Sequence, residues 1–490
     1  MKTTSRIYGE SLVLATDLYQ LTMSYGYWKT GSAEKEAVFH LFFRKPPFSG
    51  GYAVACGLRY VIDYLQDFGF EPSDIDYLAT LTGNDGKPLF EKGFLDYLEG
   101  MRFCCDVDGV EEGAVVFANE PLLRIKGPII QCQILETALL CMMNFQTLVA
   151  TKAARVTQAA CEDPVLEFGL RRAQGLDGSL SASWAAHVGG CAATSNVLAG
   201  KVFGIPVKGT HAHSWIMSFE TEMEAFQSYA EAMPNNCVFL VDTYDTINGV
   251  KKAIEVGEWL QANGHKMVGI RLDSGDLAEL SIEARNLLDD AGFKDAAIVA
   301  SNDLDEGLVT ELKKQGCCIN VWGVGTKLAT AYDQPALGGV YKLAAIRRPG
   351  EEWRYTVKLS EQSIKVSNPG IQQVRRFYQG DAAVADVIYD EQIGIKDAPT
   401  LVLQKDPSVE RELDGDYEYE DLLKPIFRDG KLVYDIPTVE ETRAYAEEEK
   451  SFFSEKVKRF AEPEAFPVGL EQELFDLKAK LIAEIRSGQK

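Results

Sequence analysis

The sequence predicts an α/β protein whose central part is a β/α barrel of about seven parallel strands. Three observations support this fold class. Short apolar runs alternate with amphipathic helical stretches through the middle of the chain. Successive runs are spaced by roughly 20–40 residues, which suits closure of a sheet into a barrel. The residues that follow most runs are polar or charged, as they are at the mouth of a barrel enzyme.

The predicted strands are apolar runs that end in polar or glycine-rich turns. They are Pro164–Gly169, Ile205–Gly209, Cys237–Val241, Met267–Ile270, Ala296–Ala300, Cys318–Val321 and Gly339–Leu343. Because most of these runs are followed by a helical stretch, we expect parallel strands joined by right-handed crossovers.

Predicted helices fill the intervals between these strands. They are Ser218–Ala232, Ile247–Ala262, Asp276–Ala291 and Asp303–Gln315. In the second helix Val250, Ile254 and Leu260 fall near one face, which is the pattern of an amphipathic helix. Asp276 and Asp303 are expected at or near the N-cap positions of their helices.

Different patterns flank the barrel and divide the chain into three predicted parts. Residues 1–125 are expected to form an N-terminal α+β, sandwich-like domain, residues 126–350 the barrel with the active site, and residues 351–490 a C-terminal extension. Strand-like runs with turn residues between them predict an antiparallel sheet in the extension. These runs are Trp353–Leu359, Gln372–Tyr378 and Ala383–Tyr389.

Composition limits the classes of function. The formal net charge of −23 argues against a general nucleic-acid binder or a binder of anionic membranes, because both need a basic face. No apolar stretch approaches ~20 residues, and the first six residues lack the apolar core of a signal peptide. The ten cysteines form no C-x-x-C motif and lie mostly in apolar runs, so we expect reduced thiols in a cytoplasmic protein.

Polar side chains follow nearly every predicted strand. His211 and His213 follow the second strand, although the chain has only five histidines, and Arg271 and Asp273 follow the fourth. Since the carboxyl ends of parallel barrel strands meet at one rim, we expect an active site there. The other strand exits contribute Arg171, Arg172, Asp242, Ser301, Asn302 and Asp303.

A glycine-rich exit near the end of the barrel suggests a phosphate site. Gly323, Gly325 and Thr326 follow a late strand, where backbone N–H groups unobstructed by side chains can point at a phosphate. Asp273 at the same rim is suited to ribose hydroxyls or a metal. The glycine-rich exit and Asp273, together with nearby cations, fit an anionic ligand that carries hydroxyl groups. These cations are Arg171, Arg172 and Arg271.

The pair His211 and His213 admits several interpretations. In an extended segment their side chains share one face, and such a pair holds zinc in many metal-dependent barrel hydrolases. However, His265 precedes its strand, and the remaining two histidines lie away from strand exits, so a zinc ligand set would be incomplete. The pair is also compatible with proton transfer or nucleophilic chemistry. A further alternative is that the protein is a non-catalytic ligand-binding protein on the same scaffold.

Several of these segments, taken in order, resemble the nicotinate phosphoribosyltransferase family over most of the chain. The resemblance implies an irregular barrel of the type II phosphoribosyltransferase kind and a head-to-tail homodimer with shared active sites. It also implies a reaction of NAD biosynthesis, in which nicotinate and phosphoribosyl pyrophosphate give nicotinate mononucleotide and pyrophosphate, with Mg²⁺ and coupled ATP hydrolysis. The matching segments are Thr16–Gln20, Glu167–Gly175, Ser195–Gly200, Gly209–Ser214, Arg271–Asp276 and Gly323–Thr326.

The resemblance also implies residue roles. Nicotinate would lie between Phe168 and Tyr19 of the partner subunit, with its carboxylate bound by Arg271 and Thr210. Asp273 would hold the ribose hydroxyls and serve catalysis. Mg²⁺ is expected to be held mainly by pyrophosphate, so no metal ligand is assigned. The other residues expected to bind phosphoribosyl pyrophosphate are Lys152, Arg155, Arg171, Arg172, Ser301, Gly323, Gly325 and Thr326.

Two further residues carry specific expectations from the resemblance. His213 matches the histidine that is phosphorylated in the family, and a neutral imidazole is a competent nucleophile toward ATP. The neighbouring His211 receives no role. Asn196 lies near the position where nicotinamide-using relatives carry an aspartate, and its uncharged amide favours the acid over the amide as substrate.

Overall fold

The computed structural model of the protein describes residues 11–360, 366–404 and 406–488, so the first six residues lie outside the described part. Two short 3₁₀ turns, Pro47–Ser49 and Leu170–Arg172, accompany the α-helices. The helices are α1 (Leu18–Lys29), α2 (Leu58–Gln66), α3 (Pro72–Thr80), α4 (Lys92–Glu99), α5 (Ile129–Ile134), α6 (Glu136–Ala160), α7 (Gly175–Val188), α8 (Val197–Phe203), α9 (His213–Met217), α10 (Glu222–Ala232), α11 (Thr246–Ala262), α12 (Leu277–Asp290), α13 (Glu306–Lys314), α14 (Thr326–Ala329), α15 (Val439–Ser451) and α16 (Gln472–Arg486).

The strands of the described residues fall into four sheets. They are β1 (Glu36–Phe43), β2 (Ala53–Val54), β3 (Asp106–Gly109), β4 (Val115–Val116), β5 (Leu123–Pro128), β6 (Val165–Glu167), β7 (Ala193–Thr194), β8 (Val238–Leu240), β9 (Gly269–Leu272), β10 (Ala297–Ala300), β11 (Val321–Val324), β12 (Gly339–Arg347), β13 (Arg354–Tyr355), β14 (Gln372–Gln379), β15 (Ala382–Asp390), β16 (Thr400–Leu403), β17 (Glu410–Glu412), β18 (Glu418–Asp421), β19 (Lys424–Arg428), β20 (Lys431–Leu432) and β21 (Val468–Glu471).

Contacts divide the chain into two compact units. One comprises residues 1–148 with 336–490, and the other comprises residues 149–335. The predicted N-terminal and C-terminal parts therefore share a unit, and its limits differ from the boundaries expected near residues 125 and 350. The reason is strand pairing: β12 pairs with β1, and β19 pairs with β3.

The second unit is built on a parallel sheet. Its six strands lie in the order β7-β6-β11-β10-β9-β8, and every neighbouring pair is parallel. The predicted helices that follow β8, β9 and β10 are present as α11, α12 and α13. The predicted alternation of strands and helices is therefore confirmed in this unit, with the buried strand interiors expected of a covered parallel sheet.

The first unit is mainly antiparallel. Its larger sheet has the order β13-β12-β1-β5-β3-β19-β20, and a six-stranded sheet has the order β17-β16-β21-β15-β14-β18. The predicted hairpin of the C-terminal extension is present as β14 and β15, which pair antiparallel. Mixed pairing enters this sheet through the parallel pair of β15 and β21.

Two predicted barrel strands differ in the structure. Gly339–Leu343 lies in β12, which pairs antiparallel with β1 of the first unit. An apolar run marks a buried strand but does not specify its partner. Ile205–Gly209 forms only a bridge between Val207 and Thr194, because Pro206 offers no N–H to a ladder.

One predicted helix cap also differs. Asp276 caps α12 as expected, since its carboxylate accepts hydrogen bonds from two backbone N–H groups of the first turn. In α13 the cap is Asp305, whose Oδ1 accepts from the Leu308 N–H at 2.8 Å. Asp303 instead lies ahead of the helix with a φ of 41°. Within the described residues, no helix is long and apolar enough to cross a membrane.

A buried charge network ties the first unit together. Arg376 on β14 is fully buried, and its guanidinium lies 2.7 Å from an oxygen of Asp386 and 2.9 Å from an oxygen of Glu449. It also donates to the Val115 carbonyl at 2.7 Å. Burial of such charges is tolerated only because each is paired and hydrogen-bonded.

We predict that Arg376→Met destabilises the protein by about 3–5 kcal/mol, because two carboxylates stay buried without their cation. The matched control is Arg375→Met on the same strand. Its guanidinium pairs with Asp421 at 2.8 Å in a partly exposed position, so the loss there should be about 1 kcal/mol. Urea unfolding of both variants measures the difference, and equal losses would contradict the burial argument.

Candidate active site

An open cleft lies at the carboxyl ends of β6, β9, β10 and β11. It offers about 560 Å³ of empty space that is open to solvent. Parallel strands place the side chains that follow them at one edge of the sheet, which explains the convergence. The cleft is lined by Phe168, Arg171, Arg172, Arg271, Asp273, Ser301, Asn302, Asp303, Gly323, Gly325 and Thr326.

Arg271 on β9 is the centre of a hydrogen-bond network in this cleft. Its Nε donates to Ser301 Oγ at 2.8 Å. Nη1 donates to Thr210 Oγ1 and Nη2 to Asp273 Oδ1, both at 3.0 Å. Three of its five N–H bonds are used in this way, and the guanidinium carbon lies 5.9 Å from the centre of the Phe168 ring. The guanidinium is therefore fixed in orientation while two N–H bonds remain for an anionic ligand.

Asp273 presents an ionised carboxylate at the same position. Burial by itself would raise the pKa of this carboxyl, but the Ser301 hydroxyl and the charge of Arg271 bring that pKa below its ordinary value. The Asp273 backbone N–H donates to Asp242 Oδ2 at 2.8 Å, and the Ser274 hydroxyl donates to the same oxygen at 2.6 Å. Asp242 thus anchors the turn after β9, a role that the sequence signalled only by an acidic residue at a strand exit.

The expectation that His211 and His213 share one face is wrong. The chain enters α9 at His213, so the two residues do not lie in one extended segment. His211 is buried, its ring lies edge-on to Tyr229 with ring centres 4.9 Å apart, and its Nε2 lies 3.4 Å from the Leu240 backbone nitrogen. It is a core residue that packs beneath the rim.

His213 is the histidine that reaches the rim. Its side chain is 40% exposed, with Nδ1 3.1 Å from Thr243 Oγ1 and Nε2 3.7 Å from Asp273 Oδ2. In the described parts of the chain, no group of three or more His, Cys, Asp or Glu side chains is placed to hold a metal ion. The interpretation as a metal-dependent hydrolase therefore lacks a ligand set.

The glycines at the end of β11 permit close packing on Phe168. A Cβ on Gly323 would lie 2.8 Å from atoms of the Phe168 ring, and a Cβ on Gly325 would lie 3.2 Å from the Phe168 carbonyl oxygen. Arg172 Nη1 donates to Thr326 Oγ1 at 3.4 Å across the cleft. One wall of the cleft therefore combines a flat aromatic ring, accessible backbone and a cation.

Two predicted anion-binding residues do not line the cleft. Lys152 is buried and pairs with Glu306 at 2.6 Å and with Asp333. Arg155 pairs with the same Glu306 at 2.7 Å. These pairs hold α6 against the start of α13, and their charges are compensated within the protein.

Two further predicted residues are placed elsewhere. Asn196 is 2% exposed, and its Oδ1 accepts from the Ala199 N–H at 3.2 Å as the cap of α8. Tyr19 lies on α1 of the first unit with 48% of its surface exposed. Asn302 and Asp303, which were predicted at a strand exit but without a specific role, also line the cleft. Both have positive φ values, 105° and 41°, which a sequence does not reveal for residues other than glycine.

The environment of His211 predicts a pH dependence of stability. Burial lowers the pKa of His211 to about 4, so between about 4 and the ordinary value of about 6.5 the unfolded chain binds more protons than the folded chain. Its contribution to stability is complete above about pH 6.5 and is lost as the pH falls toward about 4. The free energy of unfolding, measured in urea, should fall between about pH 7 and pH 4.5. We expect this fall to be smaller in His211→Gln than in the wild type by on the order of 2 kcal/mol. Parallel curves for the two proteins would contradict this.

Comparison with known proteins places the chain in a family. Residues 14–144 match the nicotinate phosphoribosyltransferase (NAPRTase) N-terminal domain, residues 164–365 the NAPRTase family, and residues 371–478 the nicotinate phosphoribosyltransferase C-terminal domain. The chain is 43% identical to the nicotinate phosphoribosyltransferase of Bacillus subtilis (strain 168), covering 98% of this chain and 96% of the relative. It is 34% identical to the Homo sapiens enzyme of the same name, with 96% of each covered.

Solved structures agree in fold. The crystal structure of human nicotinic acid phosphoribosyltransferase superimposes with a TM-score of 0.83 at 32% identity, covering 95% of this chain and 99% of the other. A nicotinate-nucleotide pyrophosphorylase from Pyrococcus furiosus shares the fold with a TM-score of 0.68 at 23% identity, covering 90% of this chain and 96% of the other. The mixed α/β architecture, the matched domains and the identity over nearly the whole chain establish that this protein belongs to the nicotinate phosphoribosyltransferase family.

Proposed function

We propose that the protein transfers the phosphoribosyl group of phosphoribosyl pyrophosphate to the ring nitrogen of nicotinate. The products are nicotinate mononucleotide and pyrophosphate, a step of NAD biosynthesis. The observation that carries this proposal is the fixed guanidinium of Arg271 beside the Phe168 ring, at the edge of a cleft that also holds an ionised Asp273. An aromatic carboxylic acid matches this pairing of a flat apolar surface with a planar cation.

Nicotinate would lie on the face of Phe168 with its carboxylate directed at Arg271. The two remaining N–H bonds of Arg271 supply donors, and Thr210 adds a hydroxyl that already contacts the same guanidinium at 3.0 Å. Tyr19 from a second copy of the chain would cover the opposite face of the pyridine ring. The exposure of Tyr19 on α1 is compatible with such a role.

Phosphoribosyl pyrophosphate would occupy the remainder of the cleft. Gly323, Gly325 and Thr326, which line the cleft, would bind the 5′-phosphate, and Asp273 with Ser301 would bind the ribose hydroxyls. The bond from the sugar carbon to pyrophosphate breaks as the ring nitrogen bonds to that carbon. Positive charge then develops on the sugar and negative charge on the leaving group, so the transition state is stabilised by fixed charges. Arg171 and Arg172 are the cleft cations that would face pyrophosphate.

Mg²⁺ fits this site only as a companion of the substrate. The described residues bring together no three His, Cys, Asp or Glu side chains that could hold a metal ion, so pyrophosphate oxygens would supply most of its coordination. When bound, the ion would offset charge on the leaving group.

ATP would be coupled to the transfer through His213. Nδ1 is occupied by the Thr243 hydroxyl at 3.1 Å, which leaves Nε2 toward the cleft. Nε2 would bond to the γ-phosphorus as the bond from that phosphorus to the ADP oxygen breaks, and water would later release phosphate. Because Asp273 Oδ2 lies 3.7 Å from Nε2, the phosphoryl group would lie beside the Asp273 carboxylate. Its negative charge would thereby alter substrate binding.

Finer features of the architecture belong to the same proposal. The segment before α9 lies beside both edges of the parallel sheet: Lys208 N–H donates to the Thr194 carbonyl of β7, and the His211 ring accepts from Leu240 of β8. This supports closure into an irregular barrel. We further propose a head-to-tail homodimer, because Tyr19 is assigned to a partner's site. We also propose a cytoplasmic location, because the ten cysteines are present as thiols.

Substrate choice provides one test of the proposed function. The wild type should release pyrophosphate with nicotinate far faster than with nicotinamide, because only nicotinate carries a carboxylate for Arg271. Arg271→Lys should raise KM for nicotinate by roughly 10–100-fold, since an ammonium cannot supply the planar pair of donors. Lys266→Met on the approach to β9, exposed and paired with Asp295, is the control. Equal turnover of nicotinamide by the wild type would overturn the proposed function.

The coupling to ATP is tested separately. With γ-labelled ATP the wild type should acquire an acid-labile, base-stable label, as expected for a phosphorus–nitrogen bond. His213→Ala should lose the label and keep a slow, ATP-independent transfer, because the transfer itself needs no imidazole nucleophile. His211→Gln is the matched control and should keep the label, since that ring is buried. Label retained in His213→Ala would show that another residue is phosphorylated.

A further inference from the structure

The turn that follows β6 is hydrogen-bonded to a buried carboxylate, which does not itself line the cleft. Glu167 is the last residue of β6 and is 1% exposed. Its Oε1 accepts from the backbone N–H of Gly169, and its Oε2 lies 2.9 Å from Ser183 Oγ and 2.5 Å from Thr194 Oγ1. In the described parts of the chain no lysine or arginine forms an ion pair with this carboxylate, so neutral donors hold it.

The hydroxyl groups around Glu167 connect it to Asn196. The Asn196 backbone N–H donates to Thr194 Oγ1 at 3.0 Å, and Asn196 Nδ2 donates to Ser183 Oγ at 3.3 Å. Each hydroxyl thus receives a hydrogen bond from Asn196 and stands next to the carboxylate. All four side chains are buried. Asn196 is therefore linked to the turn after β6 through the hydroxyl groups that hold Glu167.

The turn that Glu167 holds carries two different binding groups. Phe168 precedes Gly169, and the Gly169 carbonyl accepts from the Arg172 N–H at 3.0 Å, which forms the 3₁₀ turn with Arg171. A Cβ on Gly169 would lie 2.9 Å from Glu167 Oε1 and 2.9 Å from the Gly325 carbonyl oxygen. The turn is therefore packed between the buried carboxylate and the glycine-rich exit of β11.

We propose that Glu167 is a positioning residue that sets the aromatic platform and the arginine pair of the cleft together. The ring of Phe168 and the guanidinium groups of Arg171 and Arg172 lie on one short segment whose backbone is held by one carboxylate. A change at Glu167 thus affects the site for the aromatic acid and the site for pyrophosphate at once. The inference rests on the proposed function for the identity of these two ligands.

The chemical reason lies in the number of donors. A carboxylate accepts from all three surrounding groups, whereas the amide of glutamine replaces one acceptor oxygen with a donor. In Glu167→Gln an NH₂ facing Gly169 would leave that buried N–H without an acceptor. An NH₂ facing the hydroxyls would turn Ser183 toward the Ser179 carbonyl at 2.9 Å and Thr194 toward Ser183 Oγ at 3.3 Å, which breaks the network around the side chain. The turn would then shift away from its present position.

The matched control has the same substitution and the same kind of partner in the other unit. Glu112 is also buried, and its Oε1 accepts from the Gly57 backbone N–H at 2.8 Å. Glu112→Gln should cost stability in urea unfolding but leave the cleft intact. A loss of stability alone therefore does not count in favour of the proposal.

The experiment compares wild type, Glu167→Gln and Glu112→Gln by amide hydrogen exchange and by steady-state kinetics. In Glu167→Gln, exchange should accelerate at least about tenfold in peptides covering residues 168–173, and KM for both nicotinate and phosphoribosyl pyrophosphate should rise roughly 10–100-fold. Glu112→Gln should change neither. Unchanged exchange at 168–173, or a rise in KM for one substrate only, would overturn the proposal.

A second pair of variants covers the case in which Glu167→Gln does not fold. Thr194→Val removes one donor to the carboxylate at nearly constant volume, and Thr194→Ser keeps the hydroxyl. Thr194→Val should show the faster exchange and the raised KM values, and Thr194→Ser should restore wild-type behaviour. Equal behaviour of the two variants would overturn the proposal. If the wild type itself formed no nicotinate mononucleotide, the proposed function would fail, while the exchange data would still decide the role of Glu167.

Discussion

The contact between Arg271 and Asp273 organises the cleft, because it joins two strand exits and the segment before α9 in one hydrogen-bond network. The arginine lies on β9, and its other partners are Ser301 after β10 and Thr210 before α9. Neither charge is fully buried, so both keep part of their hydration and stay able to bind a ligand. A parallel sheet makes this arrangement possible, since only there do successive exits lie side by side at one edge.

Charges elsewhere in the protein are treated differently. Arg376 in the first unit and Lys152 in the second are buried and fully engaged by carboxylates, and they serve to hold elements together. An arginine or lysine that is buried and ion-paired with carboxylates has no N–H donor directed at solvent. Its position in a sequence motif does not change this. Arg271 differs because its partners use only three of its five N–H bonds.

Backbone packing behind the cleft imposes a second constraint. Gly169, Gly323 and Gly325 lie where a Cβ would meet a ring, a carbonyl oxygen or a neighbouring helix. The absence of side chains lets the exits of β6 and β11 approach each other, and that approach brings the Phe168 ring next to the accessible backbone of the glycine-rich exit. The proposed ring site and phosphate site are therefore neighbours for a steric reason.

The sequence by itself determined the parallel sheet, the helices between its strands, and which strand exits carry polar groups, because apolar period and capping residues are local properties. It also identified the family through ordered motifs. Only the tertiary structure decided that Gly339–Arg347 pairs with β1, that His211 is buried while His213 reaches the rim, and that Asn196, Lys152 and Arg155 are engaged away from the cleft. These outcomes depend on which residues, distant in sequence, contact each side chain. A local sequence pattern does not specify those contacts.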